Sequence, residues 1–435
     1  MQKKPALGLT LLLGVLLVLV TACGSNTPFS STSATATVPP GENIYVLDGY
    51  TQLGNTGTGQ HIVAFHPGNA NATALVSLPA GLTSMDHRKL YTATTQNGQT
   101  TIAVINTQTG STIRTFAIPG TYSTAGQGYD TPALSSNGQW LALRQYLQTT
   151  GMTIIALVDT QAGKLVKTID LGGEFDLDVV SPDGSRIYLL EKFNNNAGHY
   201  AVRLYDVNKN QLYPAPIVDK TIPNDIMSGS ALTRQMASDG SLSYTLYIDT
   251  VHNIAFVHIL PLSGDFIGAR CIDLPVGRSA DLLHYYTLAL SSDGTTLYAA
   301  NGALGVVRAI SLNGDEVFYD KIAHSSHFDP GNISMSSSDK TRVLYNGAAL
   351  SSDQKMLYFA GMYGVWAVNT ADLNVQGHYL TQQALTGIAL SADNRTLYAV
   401  DPANGITLLD AATGQPQQVV QGPVHNPWGI EWITN

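Results

Sequence analysis

Charge is scarce in this sequence, and charged residues of both signs are thinly spread. Asp, Glu, Lys and Arg make up 12% of the 435 residues, about half the share of an ordinary soluble domain. The net charge of −9 argues against nucleic acid or anionic lipid headgroups as partners of the folded body. Hydrophobic residues reach 44%, which argues against intrinsic disorder.

Cysteine is almost absent, and so are familiar catalytic motifs. Only Cys23 and Cys271 are present, and we expect Cys271 to be a small core residue, because a body of this size needs no disulfide. There is no Gly-x-Ser-x-Gly elbow, no Cys-x-x-Cys-His haem motif and no Walker loop. The sequence therefore assigns no catalytic residue, no metal ligand and no cofactor.

The first 23 residues have the pattern of a secretory signal. Lys3 and Lys4 precede an apolar run from Ala6 to Val20, and the run leads to Cys23. The segment Val20-Thr21-Ala22-Cys23 resembles the bacterial lipobox, which implies cleavage before Cys23 and lipidation of its thiol. We expect an extracytoplasmic lipoprotein anchored to the cell membrane. An uncleaved anchor helix is the alternative, and it also leaves the body outside the cytoplasm.

A tether follows the cysteine. Residues 24–43 are rich in Ser, Thr and Pro and show no apolar period, and as a coil they would span about 25 Å. The predicted organisation is a signal peptide over residues 1–22, a lipidated cysteine and tether over 23–43, and one folded body over 44–435.

A turn-and-strand motif recurs through that body, as in Ser391-Ala392-Asp393-Asn394 followed by an apolar run. An Asp side chain can bond the backbone two residues on, and Gly supplies positive φ in a tight turn. Asn394 can replace Gly there, whereas Gln354 and His87 are less suited. The motif occurs seven times, beginning at Ser84, Ser135, Ser181, Ala237, Ser291, Ser351 and Ser391.

Hairpins between these motifs give an independent count of the repeats. Each is an apolar run, a small turn and a second run, and together they cover residues 63–78, 104–116, 156–169, 203–213, 258–268, 309–319, 367–377 and 408–420. Repeats that each contain the turn-and-strand motif and a hairpin predict an all-β fold, namely a single β-propeller of four-stranded blades. We count eight blades, with seven as the alternative because the Ala237 repeat is the weakest.

The two ends of the chain complete one blade in this interpretation. Trp428–Ile433 would supply the inner strand, and Ile44–Asp48 the second, so the terminal strands close the ring. Ser279–Tyr286 is the one predicted helix, in a loop between blades. The segment His324–Asp329 contains two histidines but is predicted to be loop, and it is not assigned as a metal site.

The repeats resemble the YVTN-type propeller repeats, which are themselves similar to WD-repeat and lactonase-type propellers. Ser181 to Tyr188 matches the Ser-Pro-Asp-Gly half of that pattern, and Asp159 to Gly163 and Asp410 to Gly414 match its second half. The resemblance covers about the whole mature body and implies the propeller fold. It implies no single function, because such propellers include binding scaffolds and lactonases.

Candidate ligand-binding residues lie in the loops that lead into each inner strand, around the mouth of the central channel. The set mixes acidic and aromatic side chains, which could hold a cation or stack on a sugar or peptide. Its members are Asp130, Glu174, Asp176, Asp178, Arg234, His284, Asn426 and Trp428. Ordinary polar residues at strand ends are the competing interpretation.

Two functions fit these features. The first is a monomeric, non-enzymatic scaffold that presents the propeller to a protein, peptide or glycan. The alternative is a lactonase-like, metal-assisted hydrolase, in which a divalent cation at the channel mouth would activate water. The resemblance suggests Glu174, Asp130, Asp178 and Asn426 as its ligands.

Overall fold

Eight antiparallel sheets follow one another along the chain in the computed structural model, which describes residues 38–49, 60–123, 134–193, 198–219, 227–312, 323–331, 335–336, 339 and 342–434. Six sheets have four strands within these ranges, one has five and one has three. Each sheet is one propeller blade, and this confirms the predicted eight blades and excludes seven.

Blade 1 is built from both ends of the chain. Its strand order is β3-β2-β1-β32, with bounds β1 (Asn43–Asp48), β2 (His61–Phe65), β3 (Val76–Pro79) and β32 (Pro427–Thr434). Ile44 pairs with Ile433 and Leu47 with Gly429 in the closing pair of strands. The predicted sharing of one blade by the two termini is confirmed.

Blades 2 to 4 follow one another in the sequence. Blade 2 has β4 (Leu82–Thr83), β5 (Lys89–Gln96), β6 (Gln99–Asn106) and β7 (Thr112–Pro119). Blade 3 has β8 (Trp140–Leu147), β9 (Met152–Asp159) and β10 (Lys164–Gly172), with bridges from Ser123 and Leu134 at the inner edge of β8. Blade 4 has β11 (Glu174–Val180), β12 (Arg186–Lys192), β13 (His199–Asp206), β14 (Gln211–Leu212) and β15 (Met227–Ser228).

Blades 5 to 8 complete the ring. Blade 5 has β16 (Ser230–Met236), β17 (Leu242–Asp249), β18 (Ile254–Pro261) and β19 (Arg270–Asp273), and blade 6 has β20 (Tyr286–Leu290), β21 (Thr296–Asn301), β22 (Val306–Ser311) and β23 (Ala323–His327). Blade 7 has β24 (Ala348–Leu350), β25 (Met356–Ala360), β26 (Val365–Asn369) and β27 (Val375–Tyr379). Blade 8 has β28 (Gly387–Leu390), β29 (Thr396–Asp401), β30 (Gly405–Asp410) and β31 (Pro416–Val420).

The hydrophobic core lies between blades and runs around the whole ring. Tyr398 of blade 8 packs with Ile44 of blade 1, Leu78 of blade 1 with Leu90 of blade 2, and the remaining neighbours share further buried clusters. Both faces of each sheet are therefore covered, which explains strands in which nearly every residue is buried, such as β29.

Two opposite faces of the ring follow from the strand order. The Ser-x-Asp-Gly turns join the first and second strands of each blade, and the small turns of the predicted hairpins lie on the same side, which we call the turn face. The loops that enter each first strand, and those that join second to third strands, lie on the other side, which we call the loop face.

A 3₁₀-helix, Ala280–Tyr285, lies in the loop between β19 and β20, close to the predicted helix Ser279–Tyr286.

Two local predictions are wrong or shifted. Ala323–His327, predicted as part of a loop, is the outer strand β23, because its backbone pairs with β22 from Val306 to Ile310. His324 and His327, three apart on a strand, consequently point to opposite sides. The outer strand of blade 5 begins at Arg270, after residues 258–268, because the turn of that hairpin is longer than predicted.

The repeated turn is held by a serine as well as by the aspartate and glycine. In six repeats the Ser Oγ donates to the Asp or Asn Oδ1 two residues on, at 2.6–2.7 Å. It also accepts the backbone N–H five residues on, at 2.9–3.1 Å. Asn394, Gln354 and His87 all adopt positive φ at the glycine position, as the motif requires.

Ala237 lacks that hydroxyl, yet its turn has the same backbone bonds: Gly240 N–H to Ala237 O, 2.8 Å, and Ala237 N–H to Leu242 O, 3.0 Å. We expect Ala237→Ser to add the missing bonds and to raise the free energy of unfolding by about 0.5–1.5 kcal/mol. Urea denaturation measures the change. Ser291→Ala is the matched reverse variant and should lower stability by a similar amount; a destabilising Ala237→Ser would contradict this role of the serine.

Candidate functional site

The predicted ligand-binding residues lie on the loop face or along inner strands, but they form separate groups. Glu174, Asp176 and Asp178 are on β11 and Arg234 is on β16. His284 is in the 3₁₀-helix, and Asn426 and Trp428 are at the start of β32. Asp130 and the predicted lipidation site Cys23 lie outside the described residues.

Two of the acidic side chains face cations of the chain itself. The Asp176 carboxylate forms ion pairs with the Arg144 guanidinium of β8 and with Lys192 Nζ, the latter at 2.5 Å. Lys192 Nζ also lies 3.5 Å from Glu174 Oε1. Burial lowers the pKa of Arg144, and the charge of Glu174 opposes that shift. The local charge is thus largely balanced inside the chain.

Asp178 and Arg234 form a buried ion pair between blades 4 and 5. A register shift between Leu177 and Val179 marks a β-bulge at Asp178. Its carboxylate accepts a hydrogen bond from Arg234 Nη2, and its backbone O accepts one from Nη1 at 2.8 Å. The two side chains are 1% and 8% exposed. Arg234 Nε completes the set by donating to Thr245 Oγ1 at 2.8 Å.

A row of polar residues continues from this pair across blade 5. Arg234, Thr245, His258 and Cys271 are direct cross-strand partners on β16, β17, β18 and β19. They therefore share one face of the sheet. That face packs against Tyr200 and other residues of blade 4. The row joins the inner strand of the blade to its outer strand through the interior.

His258 is the buried centre of the row. It is 1% exposed, and within the described residues neither ring nitrogen has a hydrogen-bond partner. Burial lowers its pKa to about 4; the charge of Asp178 opposes this shift and that of Arg234 adds to it. Burial also raises the pKa of the Tyr200 and Tyr247 phenols nearby. His258 is accordingly neutral at pH 7.

Asn426 and Trp428 have structural contacts in blade 1. The Asp48 carboxylate accepts the backbone N–H of Asn426 at 2.6 Å and that of His425 at 3.1 Å. Trp428 is 7% exposed and packs in the core between blades 1 and 2. His284 is half-buried, and burial lowers its pKa. The contact of Asn426 holds the start of β32 against Asp48, and Trp428 contributes to the core between blades 1 and 2.

A tyrosine that the sequence does not single out stands at the channel mouth. Tyr345 OH donates to Glu431 Oε1 of β32 at 2.8 Å, and Asn346 Nδ2 donates to Ile430 O at 2.8 Å. The loop into blade 7 thereby reaches past blade 8 to blade 1. Two glycines leave room for it: a Cβ on Gly429 would lie 2.6 Å from the Tyr345 ring, and one on Gly387 would lie 2.4 Å from Tyr345 O.

Metal-ligand geometry is not seen in the ranges that the structure describes. No three His, Cys, Asp or Glu side chains among those residues come together in a way that could hold a metal ion. Within the same ranges, no helix is long and apolar enough to cross a membrane.

Comparisons with known proteins give remote structural similarity only. No family model matches the sequence, and no curated protein matches it. One similar solved structure is a dihydro-heme d1 dehydrogenase, NirN, with a TM-score of 0.48 and 12% identity over 91% of this chain and 75% of that one. A putative 6-phosphogluconolactonase of Bacteroides fragilis has a TM-score of 0.43 and 13% identity over 93% of this chain and 99% of that one. The hydrazine synthase of Kuenenia stuttgartiensis has a TM-score of 0.38 and 14% identity over 76% of this chain and 94% of that one. Similarity at this level establishes no shared activity, and the fold assignment rests on the strand order above.

The buried neutral His258 predicts a loss of stability in mild acid. The pKa of a histidine in the unfolded chain is near 6.5, whereas the folded value is about 4. Between these values the unfolded state binds the proton and the folded state does not, so stability falls as pH drops from about 6.5 to about 4, by about 3 kcal/mol at most.

We expect His258→Leu to reduce that pH dependence, because the variant lacks this imidazole; other histidines whose pKa is lowered by burial, such as His284, still contribute to it. Urea denaturation at a series of pH values between 7 and 4 would measure it. His425→Leu, at an exposed position, is the control and should keep the dependence of the parent. An unchanged slope in His258→Leu would show that His258 does not titrate as its burial implies.

Proposed function

We propose that this protein is a membrane-anchored, extracytoplasmic binding scaffold that presents the loop face of its propeller to a ligand. The observation that carries the proposal is the place where the N-terminal segment joins the ring. Glu42 is 0% exposed and contacts Ala392 in the Ser391 turn, on the turn face. The chain therefore enters the ring at the turn face, and the proposed orientation turns this face toward the membrane.

Glu42 fixes this junction through three contacts. Its carboxylate accepts the backbone N–H of Ala392 at 2.9 Å and the Tyr398 hydroxyl, and its backbone O lies 2.6 Å from His66 Nδ1. β1 starts at the next residue, Asn43, and pairs with Thr434 near the C-terminus. Both ends of the propeller are therefore held on the turn face.

The charge pairs of the predicted site support a scaffold more than a hydrolase. Of the four ligands that the hydrolase alternative would use, two already face a cation of the chain: Asp178 is paired with Arg234, and Glu174 faces Lys192. A divalent cation would have to displace cations already in place. A neutral or peptide ligand at the loop face meets no such competition.

The proposed orientation can be measured with two fluorescent labels on the lipidated full-length protein in liposomes. Val251→Cys labels the loop face, where Val251 is 85% exposed, and Asp372→Cys labels an exposed turn-face position, both with Cys271→Ala. The faces are about 20 Å apart, the length of a six-residue strand. We expect quenchers on the lipid headgroups to quench the Asp372 label more strongly than the Val251 label.

Cys23→Ser is the control, because it removes the lipidated thiol, and this variant should incorporate no labelled palmitate. Equal quenching of the two labels, or stronger quenching at Val251, would contradict the orientation. Palmitate incorporation that survives Cys23→Ser, or is absent from the parent, would contradict the lipid anchor.

The hydrolase alternative predicts a bound divalent metal, and the scaffold does not. We expect purified protein to hold no stoichiometric divalent ion, because the acidic groups face Arg and Lys. Elemental analysis of the parent and of Glu174→Gln would test this, with Asp265→Asn on the turn face as the control. A stoichiometric ion that is lost, together with lactone hydrolysis, in Glu174→Gln alone would establish the hydrolase.

A further inference from the structure

A cleft opens on the loop face between blades 6 and 7, away from the channel mouth. Its volume is about 280 Å³, near the lower end of the range for small-molecule sites. Four separate chain segments form it: the loop after β21, the residues that follow β23, the loop after β25 with the start of β26, and the end of β27 with the residues after it. The lining residues that matter here are Gly302, Asp329, Tyr363, Trp366, His378 and Thr381.

The back wall of the cleft is a fixed aromatic stack. The His378 ring lies parallel to the Trp366 indole, with centroids 3.7 Å apart and an interplanar angle of 9°. Phe328 also packs on Trp366, at 4.4 Å, so Trp366 itself is only 6% exposed. His378 Nε2 lies 3.1 Å from Tyr363 O, which orients the imidazole. The aromatic surface left open is that of His378 and Tyr363, both half-buried.

Tyr363 is held from below by a buried ion pair. Its hydroxyl donates to Asp339 Oδ2 at 3.0 Å, and the Arg342 guanidinium lies 5.8 Å from its ring centroid. Arg342 in turn is bound to the Asp339 carboxylate and donates to Met362 O at 2.7 Å. The phenol ring therefore keeps one position without help from a ligand, which lowers the entropy cost of binding.

Two glycines allow the blades to approach at the floor. A Cβ on Gly302 would lie 2.7 Å from the Cα of Gly361 and 2.7 Å from Trp366 Cδ1. Any larger residue at Gly302 would push the loop after β21 away from blade 7. The cleft thus depends on a backbone contact that only glycine permits.

Polar groups line the open rim. Asp329 is exposed, and its Oδ1 accepts the Gly331 N–H at 2.8 Å; a carboxylate retains further acceptor capacity beyond one such bond. Thr381 is exposed across the cleft. None of the described lining residues is Lys or Arg, so a phosphate or carboxylate ligand would meet Asp329 with no compensating cation.

A ring with an apolar C–H face and several hydroxyl groups fits these walls. We propose that the cleft binds one residue of a neutral saccharide, with its C–H face on Tyr363 and His378 and its hydroxyls bonded by Asp329 and Thr381. The inference rests on the proposed scaffold function and names its ligand class. Aromatic faces supply contact area, and a charged acceptor gives the stronger hydrogen bonds.

The test is ligand-observed saturation-transfer NMR on the full-length protein in detergent, with neutral probes of glucose, galactose and N-acetylglucosamine and their oligosaccharides at up to about 10 mM. We expect transfer to the ring C–H protons of at least one probe, and affinity about tenfold lower in Asp329→Ala and in Thr381→Val. Asp265→Ala, an exposed carboxylate removed from the turn face, should bind as the parent does.

The Asp329 and Thr381 side chains are exposed, so we expect both variants to fold, which circular dichroism would check. Absence of transfer from every neutral probe, or binding that both variants leave unchanged, would overturn the saccharide site. A sugar phosphate that binds better than its neutral parent would overturn the ligand class. Both results are separate from the orientation measurement, which the scaffold can pass with a peptide ligand at another part of the loop face.

Discussion

The pairing of β1 with β32 is the contact on which the ring depends. Each other blade is built from one continuous segment, whereas blade 1 exists only when the two ends of the chain meet. The clusters on its two sides, with blade 8 and with blade 2, are complete only when β32 is in place. An eight-bladed ring without this strand would have an open inner edge at blade 1, with unpaired backbone groups facing the channel. Glu42 lies directly before β1 and ties the same junction to Tyr398 and Ala392, so its contacts reinforce the closure of the ring.

The repeat turns could be predicted because their causes are local. A tight turn between two strands needs an acceptor two residues before a backbone N–H and a residue with positive φ, and both are visible in a window of ten residues. The role of the serine hydroxyl was not predicted, because the backbone N–H that it accepts lies five residues on, in the following strand. Ala323–His327 was not predicted as a strand for a different reason. An outer strand is set by its backbone pairing with β22, and its polar Ser and His side chains show no alternation of apolar and polar residues.

The candidate site could be predicted only in part, because pairing across blades is not local. The acidic character of β11 is evident in Glu174, Asp176 and Asp178. Their partners are not evident from the sequence, since Arg234 is 56 residues from Asp178. The contact also depends on a β-bulge, which the alternation of side chains along a regular strand does not predict. The role of His258 could not be predicted for the same reason. Within its strand it is one polar residue among apolar ones, and its alignment with Arg234 and Cys271 is seen only when the register of the four strands is known. The cleft is assembled from four distant segments and has no sequence signature.

Several of the few charged residues of this protein form ion pairs that hold neighbouring blades together. A body with so few charged groups places several of them at junctions between blades, where desolvation makes an unpaired charge costly. Asp339 shows the consequence. Burial would raise the pKa of its carboxyl, but hydrogen bonds from Ser336 and Tyr363 and the charge of Arg342 outweigh burial and hold the pKa below its usual value. The same carboxylate orients Tyr363 in the cleft and, through Arg342, fixes the segment that carries Tyr345 to Glu431 at the channel mouth. One ionic centre therefore contributes to the support of both the cleft and the loop that reaches the channel mouth.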